Sequence, residues 1–263
     1  MDHIRTIIGK EWADMRRNKL VLYVILLVPL VMTAIPVAML AVMRQIPPNQ
    51  SDLQEMGPML RNPIFAGMTP SEALQSVMAS NLLVLFLMMP LMVPVTIAAY
   101  SIVGEKITRS LEPLLATPIS TTELLLGKGI AAALPGIIVT WLAYGVFLIF
   151  ARLFAVTDRV FSVFVDPMWL IAMFVLAPLL TILAVNFAII ISSRTSDPRA
   201  AEQLGALIVL PLMILFIGAI AGFIALSSLT FWLTSAIVLL LNVVVAFLAV
   251  RLFQRETILT RWK

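Results

Sequence analysis

The chain has 263 residues, of which 61% are hydrophobic and 12% charged, and its formal net charge is +4 at pH 7. Soluble domains are about 45–50% apolar and about 25% charged, so this chain carries more apolar surface than one compact core can hide, and we predict a membrane protein. It has no cysteine, and His3 is its single histidine, which excludes disulfides, cysteine nucleophiles, histidine triads and thiolate or His-rich metal sites. Lys and Arg are scattered among the ends of apolar segments, so nucleic-acid binding is not expected.

Residues 1–19 form the first predicted element, an amphipathic helix. Basic and acidic residues occupy one face, and the apolar side chains fall at helical spacing on the other: Ile4, Ile7, Ile8, Trp12 and Met15. This pattern is typical of a helix that lies in the membrane interface. A solvated basic tail is the alternative, and the tryptophan favours the interfacial helix.

Six segments are long and apolar enough to cross a membrane, which takes about 20 residues for about 30 Å of hydrocarbon. None contains Asp, Glu, Lys, Arg or His, and they cover residues 20–43, 82–103, 129–150, 167–191, 204–226 and 230–250. We therefore predict an all-α integral membrane fold with six transmembrane helices in a single domain over residues 20–263. The largest external loop is 44–81, where Thr69-Pro70-Ser71-Glu72 predicts a capped helix start.

Prolines lie inside several predicted spans, and each removes a backbone hydrogen bond and bends its helix. Neighbouring helices usually satisfy the freed carbonyl groups, so tolerance is the more common outcome and a hinge the less common one. The residues concerned are Pro29, Pro36, Pro90, Pro94, Pro135, Pro178 and Pro211.

The distribution of basic residues orients the spans. Of the 18 Lys and Arg residues, all lie on one side of the predicted spans except Arg44, Arg61, Arg152 and Arg159. The richer side is cytoplasmic by the positive-inside rule, and an even number of spans puts both termini there.

The cytoplasmic connection 104–128 carries the most defined pattern of the soluble pieces. Glu105, Arg109 and Glu112 recur at helical spacing, Thr117-Pro118 enforces a turn, and Ser120 to Glu123 forms a capping box. A plain connector explains the charges but not this much specified structure, so a docking role is favoured.

The next cytoplasmic connection, 192–202, contains Asp197-Pro198, a strong pair for the N-cap and first position of a helix. Arg199 and Glu202 are expected to face the cytoplasm. Within the spans, Tyr144, Asn186 and Asn242 are candidates for a substrate path, although hydrogen bonding between helices is the more common role of such residues.

The predicted spans lack the ionisable side chains that proton- or ion-coupled carriers usually place at membrane depth. Gly127-Lys128 has the look of a phosphate-binding loop, but that motif also needs glycine at position 122 and Ser or Thr at 129, where Thr122 and Gly129 stand. The chain is therefore not expected to be an enzyme, and energy for uphill transport has to come from another chain.

The residues from Glu105 to Lys128, with Ser110-Leu111-Glu112-Pro113-Leu114 and Thr117-Pro118-Ile119 at their centre, resemble the signature of type-2 ABC transporter permeases. These are the six-span membrane subunits of bacterial and archaeal ABC exporters. The segment around Asp197-Pro198-Arg199 is similar to the family's second cytoplasmic loop, and the N-terminal amphipathic helix is similar to its elbow helix.

This resemblance implies that two permeases, identical or sister chains, assemble with two ABC ATPase subunits in the lipid bilayer of the inner (plasma) membrane. ATP and Mg would be bound by the ATPases, with no cofactor on this chain. The ATPase would contact a cytoplasmic coupling helix and a second loop, and ATP binding would move the elbow and coupling helices together. The positions that match the two loops are Glu105, Arg109, Glu112, Thr117 and Pro118, and then Arg194, Asp197 and Arg199.

Relatives that export polysaccharides carry extra helices between the fifth and sixth spans, where this chain has only residues 227–229. That difference favours a drug, peptide, ion or lipid-like substrate. A non-transporting assembly or regulatory subunit that works with an ATPase is the main alternative, and a stand-alone channel or carrier is the third.

Overall fold

The structure, a computed structural model, describes residues 2–45, 67–108, 120–221, 223–224 and 226–252. Within these residues every regular element is a helix. In chain order the helices are α1 (Asp2–Arg17), α2 (Lys19–Met43), α3 (Pro70–Leu83), α4 (Met89–Ile107), α5 (Thr121–Phe154), α6 (Asp158–Phe164), α7 (Pro167–Ile171), α8 (Ala177–Arg194), α9 (Pro198–Gly205), α10 (Leu210–Ile220) and α11 (Ser228–Leu252).

These helices supply six segments that are long and apolar enough to cross a membrane, which confirms the predicted fold class. The spans are Lys19–Met43, Pro70–Ile107, Thr122–Phe154, Asp158–Arg194, Pro198–Ala219 and Ser228–Ala249. The second span begins at Pro70 rather than residue 82 because α3 continues into α4. At about 1.5 Å per residue it is longer than the hydrocarbon layer is thick, so part of α3 extends beyond the membrane core.

The predicted helix starts are confirmed. Thr69 caps α3 and Ser120 caps α5, each in a complete capping box with the glutamate three residues later. Asp197 caps α9 by accepting a hydrogen bond from the backbone N–H of Arg199, 3.0 Å away. All three helix starts therefore lie where the sequence predicted them.

Three of the span prolines follow short stretches where the helix changes its winding. Pro90 and Pro211 come just after 3-10 segments, Val84–Met88 and Ala206–Val209, and Pro178 follows a π-helical turn, Ala172–Leu176. Proline has no N–H for the carbonyl group four residues earlier, and its ring crowds that group, so the preceding turn tightens or widens. In the fourth span the carbonyl oxygen of Met173, in the turn before Pro178, receives a hydrogen bond of 2.9 Å from Nε1–H of Trp141 in the third span. This bond compensates for the N–H that proline lacks.

The second span is the centre of the helix bundle. Of its most apolar 18-residue stretch, 78% is buried, against 17% of the corresponding stretches of the first and fifth spans. The second span packs on the first, third, fourth and fifth spans. Glycine permits two of these contacts. A methyl group added at Gly136 would lie 2.6 Å from Cγ of Pro94, and one added at Gly205 would overlap Val95. The sixth span lies against the fourth.

Candidate functional site

Helix α1 packs against the beginning of the third span. Ile7 is buried against Gly127. A methyl group added to Gly127 would lie 2.8 Å from the Cγ2 atom of Ile7, so the absence of a side chain at Gly127 lets the two helices approach closely. Trp12 donates its Nε1–H to the carbonyl oxygen of Ala131 at 3.1 Å. The face predicted to be apolar therefore covers protein, and it contains one residue not predicted to be there, the buried Glu11.

Glu11 belongs to a set of four charges, which we call the charge cluster: the buried Glu11, Glu105 and Lys128, and Lys10 at its exposed edge. The Nζ atom of Lys128 lies 2.6 Å from Oε1 of Glu11 and 2.8 Å from Oε2 of Glu105, and it also donates to Oγ of Ser101 at 2.9 Å. Lys10 bonds to Oε1 of Glu105. Lys128, Glu11 and Glu105 are only 4%, 6% and 7% exposed.

The cluster is electrostatically balanced, with two carboxylates and two ammonium groups. Burial by itself would raise the pKa of Glu11, but the charge of Lys128 and its hydrogen bond, with that of Ser101, outweigh burial and hold the pKa below its usual 4.5. Burial would likewise lower the pKa of Lys10, yet Glu105 and the nearby acids keep it above its usual 10.5. Both side chains are therefore charged at neutral pH.

The charge cluster connects α1 to both ends of the loop between the second and third spans, which is predicted to be cytoplasmic. Glu105 lies near the end of α4, Lys128 lies near the beginning of α5, and residues 109–119 separate them. Lys106, beside Glu105, points instead to the fourth span and donates to the carbonyl oxygens of Ser193 at 3.1 Å and Thr195 at 2.9 Å. One short segment of the second span thus contacts the N-terminal helix and both cytoplasmic connections.

The remaining predicted residues of the first cytoplasmic loop lie outside the described residues: Arg109, Glu112, Thr117 and Pro118. Glu105 is described, and its carboxylate faces α1 and the third span. In the second loop, Arg194 and Arg199 are exposed, and Asp197 is used as the cap of α9. Their proposed contact with an ATPase stays a prediction.

The hydrogen bonds of the three residues predicted to line a substrate path do not bring them together at one site. Tyr144 donates its hydroxyl proton to the carbonyl oxygen of Phe164, and Asn242 donates to the carbonyl oxygens of Leu179 and Val238 at 2.9 and 3.0 Å. Asn186 is half-buried. Tyr144 and Asn242 therefore join helices in the way expected of polar residues inside membranes.

At Glu202, which was expected to face the cytoplasm, the structure shows a contact with the second span that the sequence did not predict. Glu202 lies inside the fifth span, and its Oε1 atom accepts a hydrogen bond of 2.7 Å from Oγ1 of Thr96 in the second span. The expected boundary at residue 204 missed it because α9 and α10 continue each other through a 3-10 segment and extend the span to Pro198.

The sequence did carry signals for the other missed residues. Glu11 falls four residues after Ile7 and one before Trp12, so it lies on the face that the apolar pattern predicts to be buried. Lys128 follows the first two turns of a capped helix and immediately precedes an apolar segment. Opposite charges on two faces predicted to be apolar are a reason to pair them, because a buried charge needs a partner.

Comparison with known families agrees with this architecture. The family model described as "ABC-2 family transporter protein" matches residues 5–232, which include most of α1, the whole charge cluster and five complete spans. The chain belongs to the ABC-2 transporter family. It is therefore a multi-pass membrane component of a transporter, a permease type of subunit rather than a catalytic domain, and the resemblance read from the cytoplasmic loop is confirmed. No curated protein matches the chain.

Proposed function

We propose that this chain is the permease subunit of an ATP-driven exporter, and that a separate ABC ATPase drives it through the loop between the second and third spans. Two copies of the chain, or this chain and a sister permease, would assemble with two ATPase subunits in the inner (plasma) membrane. ATP and Mg would be held by the ATPases. Both termini and both connecting loops discussed above would face the cytoplasm, as the basic residues indicate.

The observation that carries this proposal is the charge cluster. A force applied to residues 109–119 reaches the membrane through Glu105 at one end of the loop and Lys128 at the other. Both are bound to α1 through Lys10 and Glu11, so the loop ends and α1 behave as one body. Separating them would leave charges buried without partners, which is costly. This gives the elbow helix a physical reason to move together with the coupling loop.

In this proposal Glu105 acts by holding the loop in place. Its carboxylate is 7% exposed and is already engaged by two lysines, so direct binding to the ATPase falls to the residues between it and Ser120. Lys106 extends the same body to the end of the fourth span, where Arg194 and Asp197 begin the second loop. Movement of one loop would therefore be shared with the other.

Reconstitution tests the proposal. The permease is expressed together with ABC ATPase subunits from its source, the complex is purified and placed in vesicles, and ATP hydrolysis and export of dyes across the membrane are measured. We expect hydrolysis to rise in the presence of the permease and a compound to move in an ATP-dependent way. Stimulated hydrolysis without movement of any compound would support the alternative, a non-transporting assembly or regulatory subunit. Absence of a stable complex would contradict both.

A further inference from the structure

A single carboxylate lies between the second and fifth spans. Glu202 is half-buried in α9, about one turn inside the fifth span, and the hydrogen bond from Thr96 is its contact with the second span. Thr96 is 3% exposed and precedes Glu105 by nine residues, which is roughly 14 Å along the helix axis from the charge cluster. The carboxylate of Glu202 therefore meets the second span well away from the charge cluster.

The position of Glu202 is fixed by close packing. Gly205 lies one turn further along α9 and contacts Val95 so closely that a methyl group there would overlap it. Thr96, the next residue, offers one hydroxyl proton, shared between Glu202 and the carbonyl oxygen of Met92 at 3.2 Å. This hydrogen bond needs only an oxygen acceptor, which glutamine would supply equally well. The negative charge is not required for the packing.

The charge of Glu202 is also not neutralised by the part of the chain that the structure describes. No ion pair within those residues includes it, whereas every carboxylate of the charge cluster has a lysine partner. Arg199 is exposed one turn earlier on the same helix and is not within ion-pair distance. Charged side chains inside membrane spans are costly, and they usually mark a path for ions or substrates.

The fifth span continues from Glu202 with exposed apolar side chains. Leu204, Leu207 and Leu210 follow Glu202 along the fifth span with 45%, 51% and 56% of their surfaces exposed. A molecule bound there would meet one negative charge and a broad hydrocarbon surface. That combination suits an apolar molecule with a single positive charge, because the charge would pair with the carboxylate and the remainder would be removed from water.

We propose that Glu202 recognises the positive group of the transported molecule, and that the substrates of this permease are lipophilic organic cations. This inference rests on the proposed function, and it selects one chemical class from the drug, peptide, ion and lipid-like candidates. Thr96 acts as a positioning residue that holds the carboxylate between the two spans.

The test uses two ions of the same shape and opposite charge, tetraphenylphosphonium and tetraphenylborate. Their binding to the purified permease in lipid nanodiscs is measured without ATP. We expect the wild-type chain to prefer the cation, and Glu202→Gln to weaken cation binding by about tenfold or more while leaving or improving binding of the anion. Glu202→Asp keeps the charge and should keep the preference. Asp158→Asn removes a charge that is exposed on the outer side, and it should change neither affinity.

Several results would overturn the inference. One is a wild-type chain that binds the two ions equally well. Another is an equal loss of both in Glu202→Gln, which indicates a structural role. A third is loss of the preference in a well-folded Glu202→Asp variant. Because these measurements need neither ATP nor the ATPase, they are independent of the reconstitution described above. Efflux of neutral compounds without cation selectivity would leave the proposed function standing and remove this inference.

Discussion

The two ends of the helix bundle are held together by different chemistry. At the end predicted to be cytoplasmic, four charged side chains join α1 to the second and third spans. At the opposite, outer end an exposed ion pair, Arg152–Asp158, lies beside buried connections that are hydrogen bonds. Gln75 donates to the carbonyl oxygens of Leu40 and Phe154 at 3.0 and 3.1 Å and accepts from the backbone N–H of Val156 at 2.8 Å.

This difference shows what each end is built to do. A neutral side chain that satisfies backbone groups at the ends of two helices, α2 and α5, stabilises the bundle and costs little to bury. A cluster of ions costs more to bury and resists separation more strongly, since any opening exposes unpaired charges to an apolar surrounding. The outer end is thus suited to closing the bundle, and the cytoplasmic end to transmitting force from the loop.

Replacing Lys128 is expected to have the largest effect. Lys128→Met leaves Glu11 and Glu105 close together without their shared partner, and removal of one member of a buried ion pair costs about 3–5 kcal/mol. We expect a clearly lower thermal unfolding midpoint in detergent and loss of ATPase stimulation. Lys19→Met is the matched control, because Lys19 is exposed, and it should change the stability by less than about 0.5 kcal/mol. Equal stability of the two variants would contradict a structural role of the cluster.

Replacing Gln75 should cost less and should affect stability alone. Gln75→Leu takes a neutral partner from the carbonyl group of Phe154 and the N–H of Val156, whereas the Leu40 carbonyl keeps its bond from the N–H of Arg44. A neutral hydrogen bond contributes about 0.5–1.5 kcal/mol, so the total loss is smaller than for Lys128. We expect a lower unfolding midpoint, while ATPase stimulation per folded complex stays at the wild-type level. Gln45→Leu changes an exposed glutamine at the same side of the membrane and serves as the control. Loss of stimulation in Gln75→Leu would show that the two ends are not functionally distinct.

The smallest effect is expected at Gly127. Gly127→Ala adds a methyl group 2.8 Å from Cγ2 of Ile7, and such overpacking typically costs about 1–3 kcal/mol. Gly145→Ala is the control, since no atom lies within 4 Å of the added carbon and alanine favours a helix by up to about 1 kcal/mol. Amide hydrogen exchange in α1 should rise in the first variant and not in the second. Unchanged exchange would place α1 outside the body that includes the third span.

The six spans and the helix caps could be predicted from the sequence because both are local. Hydropathy and length define the spans, and Thr69, Ser120 and Asp197 each act within one helical turn. The contacts of the charge cluster could not be predicted from the sequence in the same way, because Glu11 and Lys128 are 117 positions apart and meet only through the packing of α1 on the third span. Glu202 was missed because the span was expected to begin at residue 204, whereas α9, which Asp197 caps, continues through a 3-10 segment into α10.

The central claim is that α1 and the beginning of the third span move as one body, and a reversible cross-link tests it directly. The chain has no cysteine, so Ile7→Cys combined with Gly127→Cys gives a defined pair. A Cβ atom at position 127 would lie 3.0 Å from that of residue 7, slightly closer than the roughly 3.5–4.5 Å of a relaxed disulfide. We predict that the oxidised complex retains the ATPase stimulation and export of its reduced form. Loss of both on oxidation, with recovery on reduction, would show that the two helices must separate during transport and would contradict the account.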